Sequence, residues 1–310
     1  MKIGITGANG FIGGLLVKKH LEAGDEVHIL SRKKPNNDSS VTTHLGDLRD
    51  IESLKLFLNN VDLLYHCAAE IKDDSKMREI NVEGTRNLIE AASNKIKHWV
   101  HLSSVGVYGP ISSGTISEDH PYNPINEYER TKLEADLLVI EGAKKNNFSY
   151  TIIRPSIVFG EKMNNQSLFK LIEVINRGYY FFLGTKGASA NYVSVENVIE
   201  ALYLAGTNPK AINNTYIISD WTTIEDFITT ISNTLSKKSP KLRLPSGPIL
   251  FLAKITSFIP KNPLTTSRLN ALTNRTVYSN EKIEKELGYK AKNSLQNGIE
   301  NLVKYYKNNY

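Results

Sequence analysis

Apolar and polar residues alternate in two periods along the first half of the chain. Short apolar runs rich in strand-forming residues occupy 2–6, 26–31, 41–45, 62–66, 98–103 and 150–154. Apolar residues at helical spacing occupy 11–23, 51–58, 75–93 and 127–145. Strands that alternate with helices of about 10–15 residues form crossover units. The pattern therefore predicts an α/β fold with a parallel sheet and helices on both faces.

Three glycines in the turn after the first predicted strand carry the first chemical signal. Chance gives this spacing about 0.08 times in a chain with 20 glycines. Gly7 permits a tight turn, Gly10 leaves room for a pyrophosphate, and Gly13 lets the next helix lie close to the sheet. The free N–H groups at the start of that helix then face the phosphates. The turn predicts a dinucleotide-binding sheet of the doubly wound (Rossmann) type; the alternative is a tight turn without a ligand.

The end of the second predicted strand indicates which dinucleotide is bound. In sheets that bind NAD, an acid about 20 residues after the glycines binds the ribose hydroxyls. Ser31 stands at that place, 18 residues after Gly13, and Arg32 and Lys33 follow it. A guanidinium binds a 2′-phosphate that a carboxylate would repel, so we expect NADP(H), with NAD(H) as the alternative. A solvated basic loop is the other interpretation. Asp47, which closes the third strand, is expected to reach the adenine amino group.

The alternation of strands and helices ends near residue 155. Beyond it, turn signals, prolines and short helical stretches prevail. We expect a dinucleotide-binding domain over 1–155, to which later segments such as 191–218 return. The remainder, 156–310, is expected to be mainly a smaller substrate-binding lobe with a C-terminal helix. Apolar residues at roughly helical spacing predict one docking helix over 283–306.

The overall composition is that of an ordinary globular protein, with 40% hydrophobic and 23% charged residues. The single cysteine, Cys67, excludes an intrachain disulfide and favours a reducing compartment, so we expect a cytoplasmic protein. We expect no targeting segment, because an apolar strand begins at residue 2. The apolar stretch 248–260 is shorter than the ~20 residues that a membrane span needs.

The charged and metal-binding residues add no second function. A net charge of +6 fits scattered surface lysines, and we expect no nucleic-acid partner. Seven histidines and one cysteine form no cluster at the spacing of metal ligands, so we expect no metal.

Two tyrosines are each followed by a lysine one helical turn later, as Tyr128/Lys132 and Tyr278/Lys282. Chance alone gives about 1.4 such pairs, so the spacing by itself is a weak signal. Tyr128 opens a predicted helix and lies 24 residues after Ser104, which follows a predicted strand. Parallel sheets hold their ligands at the carboxyl ends of the strands. We therefore expect the first pair to be catalytic and the second to be structural.

The expected catalytic residues have a direct chemical logic. A free tyrosine has a pKa near 10 and is a poor base at neutral pH. A lysine ammonium and an oxidised nicotinamide both stabilise the phenolate, and lowering its pKa by ~3 units takes about 4 kcal/mol. Tyr128 then donates a proton to a carbonyl during reduction or accepts one during alcohol oxidation. Ser104 hydrogen bonds the same oxygen, and Lys132 also holds the nicotinamide ribose.

Motifs along nearly the whole chain resemble those of one protein family. They are residues 6–13, 46–48 (Gly-Asp-Leu), 62–69 (Asp-Leu-Leu-Tyr-His-Cys-Ala-Ala), 81–85 (Asn-Val-Glu-Gly-Thr), 102–109, 128–132, 154–160 and 191–198. Together they resemble the extended short-chain dehydrogenases/reductases, the NAD-dependent epimerase/dehydratase group. That group includes nucleotide-sugar epimerases, dehydratases and ketoreductases, and dihydroflavonol-reductase-like enzymes. The resemblance implies a homodimer that pairs through the Tyr128 helix and its neighbour.

The resemblance also implies further contacts with the cofactor and the substrate. The added cofactor positions are Asn9, Phe11, Ile12, Leu48, Cys67, Ala68, Ala69, Asn81, Ser103, Pro155 and Ile157, and Tyr128 and Lys132 are counted with them. The substrate positions are Val105, Tyr108, Asn164 and Arg268.

Two departures from the family pattern favour a reductase. Members that hold NAD permanently usually carry an acid where Ser31 stands. Dehydratases usually carry an acid pair after a threonine at the Ser104 position, where Val105 and Gly106 follow here. We expect an NAD(P)-dependent oxidoreductase that transfers a hydride between the nicotinamide and a carbonyl or alcohol carbon of a nucleotide-linked 4-keto sugar. The alternatives are a sterol- or flavonoid-like alcohol as substrate, a nucleotide-sugar C4 epimerase with retained NAD, and a noncatalytic dinucleotide-sensing module.

Overall fold

A computed structural model describes residues 1–33, 40–163, 165–249, 269 and 272–310 of the chain. Its described strands are β1 (Lys2–Thr6), β2 (Glu26–Ser31), β3 (Thr42–Leu45), β4 (Leu63–His66), β5 (His98–Leu102), β6 (Ser113–Ile116), β7 (Ser149–Pro155), β8 (Ile157–Phe159), β9 (Phe182–Leu183), β10 (Ser189–Ser194), β11 (Asn214–Ile218), β12 (Asp220–Thr223), β13 (Arg243–Leu244) and β14 (Arg275–Tyr278).

The described helices, numbered in chain order, flank these strands. They are α1 (Phe11–Glu22), α2 (Ile51–Phe57), α3 (Asp74–Met77), α4 (Gly84–Ala92), α5 (Glu127–Asn146), α6 (Ser167–Asn176), α7 (Val195–Thr207), α8 (Ile224–Thr234), α9 (Glu281–Leu287) and α10 (Leu295–Asn309). None of the helices in the described part of the chain combines the length and apolarity of a membrane span.

Seven strands form one central sheet in the order β11-β7-β5-β4-β1-β2-β3. Every neighbouring pair in it is parallel. The chain runs outward from β1 in both directions, first through β2 and β3 and then through β4 and β5. This reversal leaves a crevice at the carboxyl end of β1, where doubly wound sheets bind their ligands. The predicted doubly wound α/β fold is confirmed.

Apolar side chains cover both faces of the central sheet. One core packs α1 and α7 on β1, β4 and β7, with Leu16, Leu202 and Ile5 fully buried. A second core packs α2, α4 and α5 on the opposite face around Trp99 and Phe57. Burial on both faces explains why the strands read as nearly continuous apolar runs in the sequence.

A separate core lies beyond the central sheet. It packs α6, α8 and α10 around Phe227, Ile231 and Leu302, which are buried. Strands β12, β10 and β8 form a small sheet there, while β11 adds to the edge of the central sheet. The later half of the chain therefore contributes to both parts of the molecule. The division at residue 155 stays a prediction.

Two predicted helices differ in the structure. The segment predicted as one helix over 75–93 contains α3, a π-helical turn at Arg78–Glu83 and α4. The tail predicted as one docking helix over 283–306 is divided into α9 and α10, so that prediction is wrong. Gly288 ends α9 in a left-handed conformation at φ 67°, and the Ser294 side chain caps α10 by accepting from the Asn297 N–H.

Candidate active site

The turn between β1 and α1 leaves no space for side chains at two of its glycines. Gly7 has φ +70°, and a Cβ atom there would lie 2.7 Å from the Ala68 nitrogen. A Cβ atom on Gly13 would lie 2.2 Å from the Gly7 carbonyl oxygen. The start of α1 is thereby held against the end of β1, with its free N–H groups facing the crevice. This cradle fits the pyrophosphate of a dinucleotide.

A cavity of about 340 Å³ opens beside this turn. Of the predicted cofactor residues, it is lined by Gly7, Asn9, Gly10, Ser31, Arg32, Asp47, Leu48, Cys67, Ala68 and Ala69. Lys33, which was predicted with them, is not among the lining residues. The residues come from the ends of β1, β2 and β4 and from the loop after β3, so the fold brings together four separate parts of the sequence.

The loop after β2 presents the cation of Arg32 at this cavity. The Asn9 amide donates to the Ser31 hydroxyl at 3.0 Å, and that hydroxyl donates to the Lys33 carbonyl at 2.8 Å. Asp47 accepts two hydrogen bonds from the Arg49 guanidinium, at 2.8 and 3.0 Å, and this pairing lowers the pKa of its carboxyl group. Arg32 is exposed and forms no ion pair within 4 Å with a described residue, although its charge also lowers the pKa of Asp47.

A directional hydrogen-bond chain fixes the loop after β4. The Thr85 hydroxyl donates to the Asn81 carbonyl at 2.6 Å, so it accepts from His66 Nε2–H at 3.0 Å. His66 Nδ1 then accepts from the Thr6 hydroxyl at 2.7 Å, and Thr6 in turn accepts from the Ala68 N–H. Burial lowers the pKa of His66 to about 3, so the ring stays neutral. One tautomer therefore links β1, β4 and the helix that follows.

Asn81 reinforces this loop from the π-helical turn. Its side chain accepts from the Glu70 N–H at 2.7 Å and donates to the Glu70 carbonyl at 3.0 Å. Asn81 is buried and does not line the cavity, so it supports the cofactor loop from behind. π-Helical turns are often found at functional sites.

A second cavity, of about 570 Å³, adjoins the first and shares Gly7, Gly10, Cys67 and Ala69 with it. The predicted residues Phe11, Ile12, Gly13, Ser103, Ser104, Val105, Tyr128, Lys132, Pro155 and Ile157 all line it. Its lining is mainly apolar, and its polar groups converge on Ser104, Tyr128 and Lys132. The fold thus places the three predicted catalytic residues at one end of a cleft.

Helix α5 positions the tyrosine and the lysine. Asn126 caps its start by accepting from the Glu129 N–H at 2.9 Å, and Tyr128 and Lys132 then lie one turn apart. The Lys132 ammonium donates to the Leu102 carbonyl at 2.5 Å, at the end of β5. Burial lowers the pKa of Lys132. Burial raises the pKa of Tyr128, and its hydrogen bond with Ser104 opposes that rise.

Of the predicted substrate residues that the structure describes, Val105 lines the cleft and Tyr108 does not. Tyr108 is buried away from it, and its hydroxyl accepts from Arg154 at 2.9 Å. Asn164 and Arg268 lie outside the described residues. Ile71 and Met163, which were not assigned from the sequence, also line the cleft.

A buried ion pair that was not predicted from the sequence lies behind Lys132. Asp136 lies one turn after Lys132 on α5, and Arg154 stands in the otherwise apolar strand β7; both are buried. Two features of the sequence could have indicated this ion pair: an acid four residues after the lysine and a cation within an apolar run.

Within the described residues, no group of three or more His, Cys, Asp or Glu side chains is arranged to hold a metal ion.

Comparison with known proteins decides the family. The family model described as "NAD dependent epimerase/dehydratase family" matches residues 3–219, more than half of the chain. The chain belongs to the NAD dependent epimerase/dehydratase family. The predicted resemblance to extended short-chain dehydrogenases/reductases is therefore confirmed.

Two curated relatives from this family match much of the chain. N-acetyl-alpha-D-glucosaminyl-diphospho-ditrans,octacis-undecaprenol 4-epimerase from Escherichia coli O157:H7 is 29% identical over 97% of this chain and 94% of its own length. UDP-glucose 4-epimerase from Vibrio cholerae is 30% identical over 70% of each chain. Both names describe sugar 4-epimerases.

A solved structure shows the same family fold. UDP-glucuronic acid 4-epimerase from Bacillus cereus, in complex with NAD, superimposes with a TM-score of 0.77. The match covers 99% of each chain at 23% sequence identity. It supports the fold of the whole described molecule.

Proposed function

We propose that the protein is an NADP(H)-dependent enzyme that reduces or oxidises C4 of a sugar joined to a diphosphate. The observation that carries the proposal is the convergence of Ser104, Tyr128 and Lys132 in a cleft continuous with the glycine-turn cavity. When bound, the dinucleotide supplies the group that gives or takes a hydride. The protein residues supply orientation and the proton.

Tyr128 is the proposed proton donor and acceptor. Its side chain and that of Ser104 line the same cleft, so the two side chains can meet one substrate oxygen together. The Lys132 ammonium favours the phenolate form over the phenol. The apolar walls around them exclude water and strengthen this electrostatic effect.

The proposed preference for NADP(H) rests on the β2 loop. Ser31 brings no negative charge, and its hydroxyl is used within the loop. Arg32 forms no close ion pair with a described residue and faces the cavity, and the neighbouring Asp47 is neutralised by Arg49. An unpaired guanidinium beside a neutralised carboxylate suits a ribose 2′-phosphate.

The proposed substrate class rests on the relatives. One relative is named for a sugar joined through a diphosphate to a polyprenol, and the other for a sugar joined to UDP. The shared chemistry is a diphosphate-linked sugar with a reacting C4. The same names favour a second candidate function, C4 epimerisation with a retained dinucleotide, in which no NADPH is consumed overall.

One experiment separates the two candidates. The purified protein is denatured to identify any released dinucleotide, then incubated with NADPH and a UDP-linked 4-keto-6-deoxy sugar. Stoichiometric NADPH oxidation with formation of a 4-hydroxy sugar supports the reductase. Tightly retained NAD, together with interconversion of UDP-N-acetylglucosamine and its C4 epimer without NADPH, supports the epimerase. If neither occurs with UDP-linked or polyprenyl-diphosphate-linked sugars, the proposed substrate class is wrong.

A further inference from the structure

Three ionisable side chains follow one another on a single stripe of α5. Tyr128, Lys132 and Asp136 are spaced by four residues, so each lies one turn beyond the last. Tyr128 and Lys132 line the cleft, Lys132 being almost fully buried, whereas Asp136 is fully buried and does not line it. The stripe therefore runs from the reacting end of the cleft into the protein interior.

The two oxygens of the Asp136 carboxylate are held differently. Its Oδ2 accepts from Arg154 Nε at 3.1 Å and from Nη2 at 3.0 Å. Its Oδ1 makes no short hydrogen bond and lies 3.5 Å from His101 Nε2, and the Ser103 hydroxyl interacts with the carboxylate. Burial raises the pKa of Asp136, and Arg154, Ser103 and Lys132 oppose that rise. Burial lowers the pKa of His101 well below its usual value, so this ring is neutral. A fully buried carboxylate with only one oxygen in short hydrogen bonds is costly, so a nearby positive charge stabilises it.

The Lys132 ammonium is the nearby charge. It makes one hydrogen bond, to the Leu102 carbonyl at 2.5 Å, although an ammonium can donate three. The ionisable groups that interact with it or with its two neighbours on the stripe are Tyr128, Glu129 and Asp136 on α5, His66 and Cys67 at the end of β4, His101 on β5 and Arg154 on β7.

The fully buried charges of this network add up to one excess positive charge. His66 and His101 are neutral, and burial raises the pKa of the Cys67 thiol to about 12, so Cys67 is neutral too. The fully buried charges are then the cations Lys132 and Arg154 and the anion Asp136. Ionised Tyr128 would be the second anion that balances them.

We propose that Asp136 is a positioning residue that holds Lys132 as an ammonium ion beside Tyr128, with Arg154 fixing the carboxylate in place. The proposal rests on the proposed function, in which Tyr128 exchanges the proton. Without Asp136, two buried cations would face each other without an anion. Lys132 would then release its proton, because arginine does not.

The first test is the pH profile of kcat/KM for Asp136→Asn in the direction of alcohol oxidation, in which Tyr128 accepts the proton and the alkaline limb reports loss of the Lys132 proton. We expect the alkaline limb to move down by about one pH unit or more, because an adjacent buried carboxylate raises a lysine pKa by that much. Asp136→Glu should restore the wild-type limb. If Asp136→Asn loses activity but keeps the wild-type pH profile, Asp136 is structural only and the proposal is wrong.

Arg154→Met provides the opposite charge change in the same ion pair. It removes a cation that competes for Asp136, so the alkaline limb should stay or move up. A downward shift in Arg154→Met as large as that in Asp136→Asn would show a common packing defect and overturn the proposal. If Asp136→Asn does not fold, the double variant Asp136→Asn/Arg154→Met removes both charges, and its alkaline limb should lie below that of Arg154→Met, because only the carboxylate distinguishes the two.

A measurement without cofactor or turnover completes the test. Tyrosine labelled with ¹³C at Cζ reports the ionisation of Tyr128 by NMR, with its signal assigned by comparison with Tyr128→Phe. If Lys132 stays charged in Asp136→Asn, losing the carboxylate lowers the Tyr128 pKa. If Lys132 becomes neutral, as proposed, the Tyr128 pKa rises. Activity that survives in Tyr128→Phe would instead refute the proposed function.

Discussion

At the scale of single residues, the site depends on which charges are paired and which are free. Asp47 lies at the dinucleotide cavity, yet Arg49 holds both of its carboxylate oxygens. Arg32 lines the same cavity and forms no close ion pair with a described residue. Of the described residues that line the cavity, Arg32 is the cation with which a bound anion next to this loop can pair, and the acids Asp47 and Glu70 line it as well.

Replacing Arg32 by Ala tests this assignment. We expect the Kd for NADPH to rise by about 10- to 100-fold, because a charge-assisted hydrogen bond to a phosphate contributes about 1.5–3 kcal/mol. The Kd for NADH should stay within about twofold of wild type. Both constants can be measured by fluorescence titration.

Lys33→Ala is the matched control for that substitution. Lys33 carries the same charge but does not line the cavity, so both Kd values should change little. Tighter binding of NADH than NADPH by the wild-type protein would contradict the assignment of Arg32.

At the scale of elements, the turn from β1 into α1 determines whether a dinucleotide can bind. The Gly7 carbonyl oxygen occupies the space that a Cβ atom on Gly13 would need. The helix start and the strand end therefore form one rigid unit. Any side chain at Gly13 has to push these two pieces of backbone apart.

Gly13→Ala should therefore weaken the protein and its cofactor affinity together. The new Cβ atom would lie 2.2 Å from the Gly7 oxygen, and backbone cannot yield as a side chain can. We expect a loss of about 1–3 kcal/mol in the free energy of unfolding and a rise of at least about 10-fold in the Kd for the dinucleotide. Urea denaturation and fluorescence titration measure the two effects.

Gly14→Ala, at the next position of α1, is the control for overpacking in general. Its Cβ atom would lie 3.2 Å from the Ala8 oxygen, which a small adjustment relieves. Because alanine is also the better helix former, we expect stability and affinity close to wild type. Equal losses in both glycine variants would show that the Gly7 contact has no special role.

Elements differ in how well the sequence predicts them. The six strands that the first half gives to the central sheet were predicted within about two residues, because strands buried on both faces leave an unbroken apolar run, whereas β6 was not predicted. The π-helical turn at Arg78–Glu83 was not predicted, since one extra residue in a turn leaves the apolar spacing almost unchanged. The division between α9 and α10 was also missed: Leu287 and Leu295 fit a helical period even though Gly288 reverses the backbone between them.

The residues of the candidate active site could also be predicted only in part from the sequence. Tyr128 and Lys132 were predicted from a local motif and its place after a strand. The pairing of Asp136 with Arg154 joins a helix to a strand across the core, and no sequence period records such a contact. Tyr108 was assigned to the substrate from its motif alone, whereas it is buried beside Arg154.

At the scale of the whole molecule, Asn197 connects segments far apart in the chain. This fully buried residue at the start of α7 donates to Asp220 at 3.0 Å and to the Asn293 carbonyl at 2.9 Å. Its carbonyl oxygen accepts from the N–H groups of Lys292 and Asn293. One amide thus joins α7, β12 and the segment before α10.

Homodimerisation and a cytoplasmic location stay predictions.

Asn197→Ala should lower the stability of the whole protein. Removing the amide leaves several buried donors and acceptors unpaired, so we expect a loss of about 2–3 kcal/mol in the free energy of unfolding. Urea denaturation followed by circular dichroism measures it. The exposed Asn233→Ala is the control and should change stability by less than about 0.5 kcal/mol. A loss equal to that of the control would mean that Asn197 does not join these segments.

The central claim is that Tyr128 exchanges the proton in a dinucleotide-dependent reaction. The most direct measurement is kcat for Tyr128→Phe beside its dinucleotide Kd, with Tyr278→Phe as the control at the same Tyr-x3-Lys spacing. We predict that Tyr128→Phe lowers kcat by at least about 100-fold and leaves the Kd within about twofold, while Tyr278→Phe changes neither. A Tyr128→Phe enzyme with kcat within a few-fold of wild type would contradict the claim.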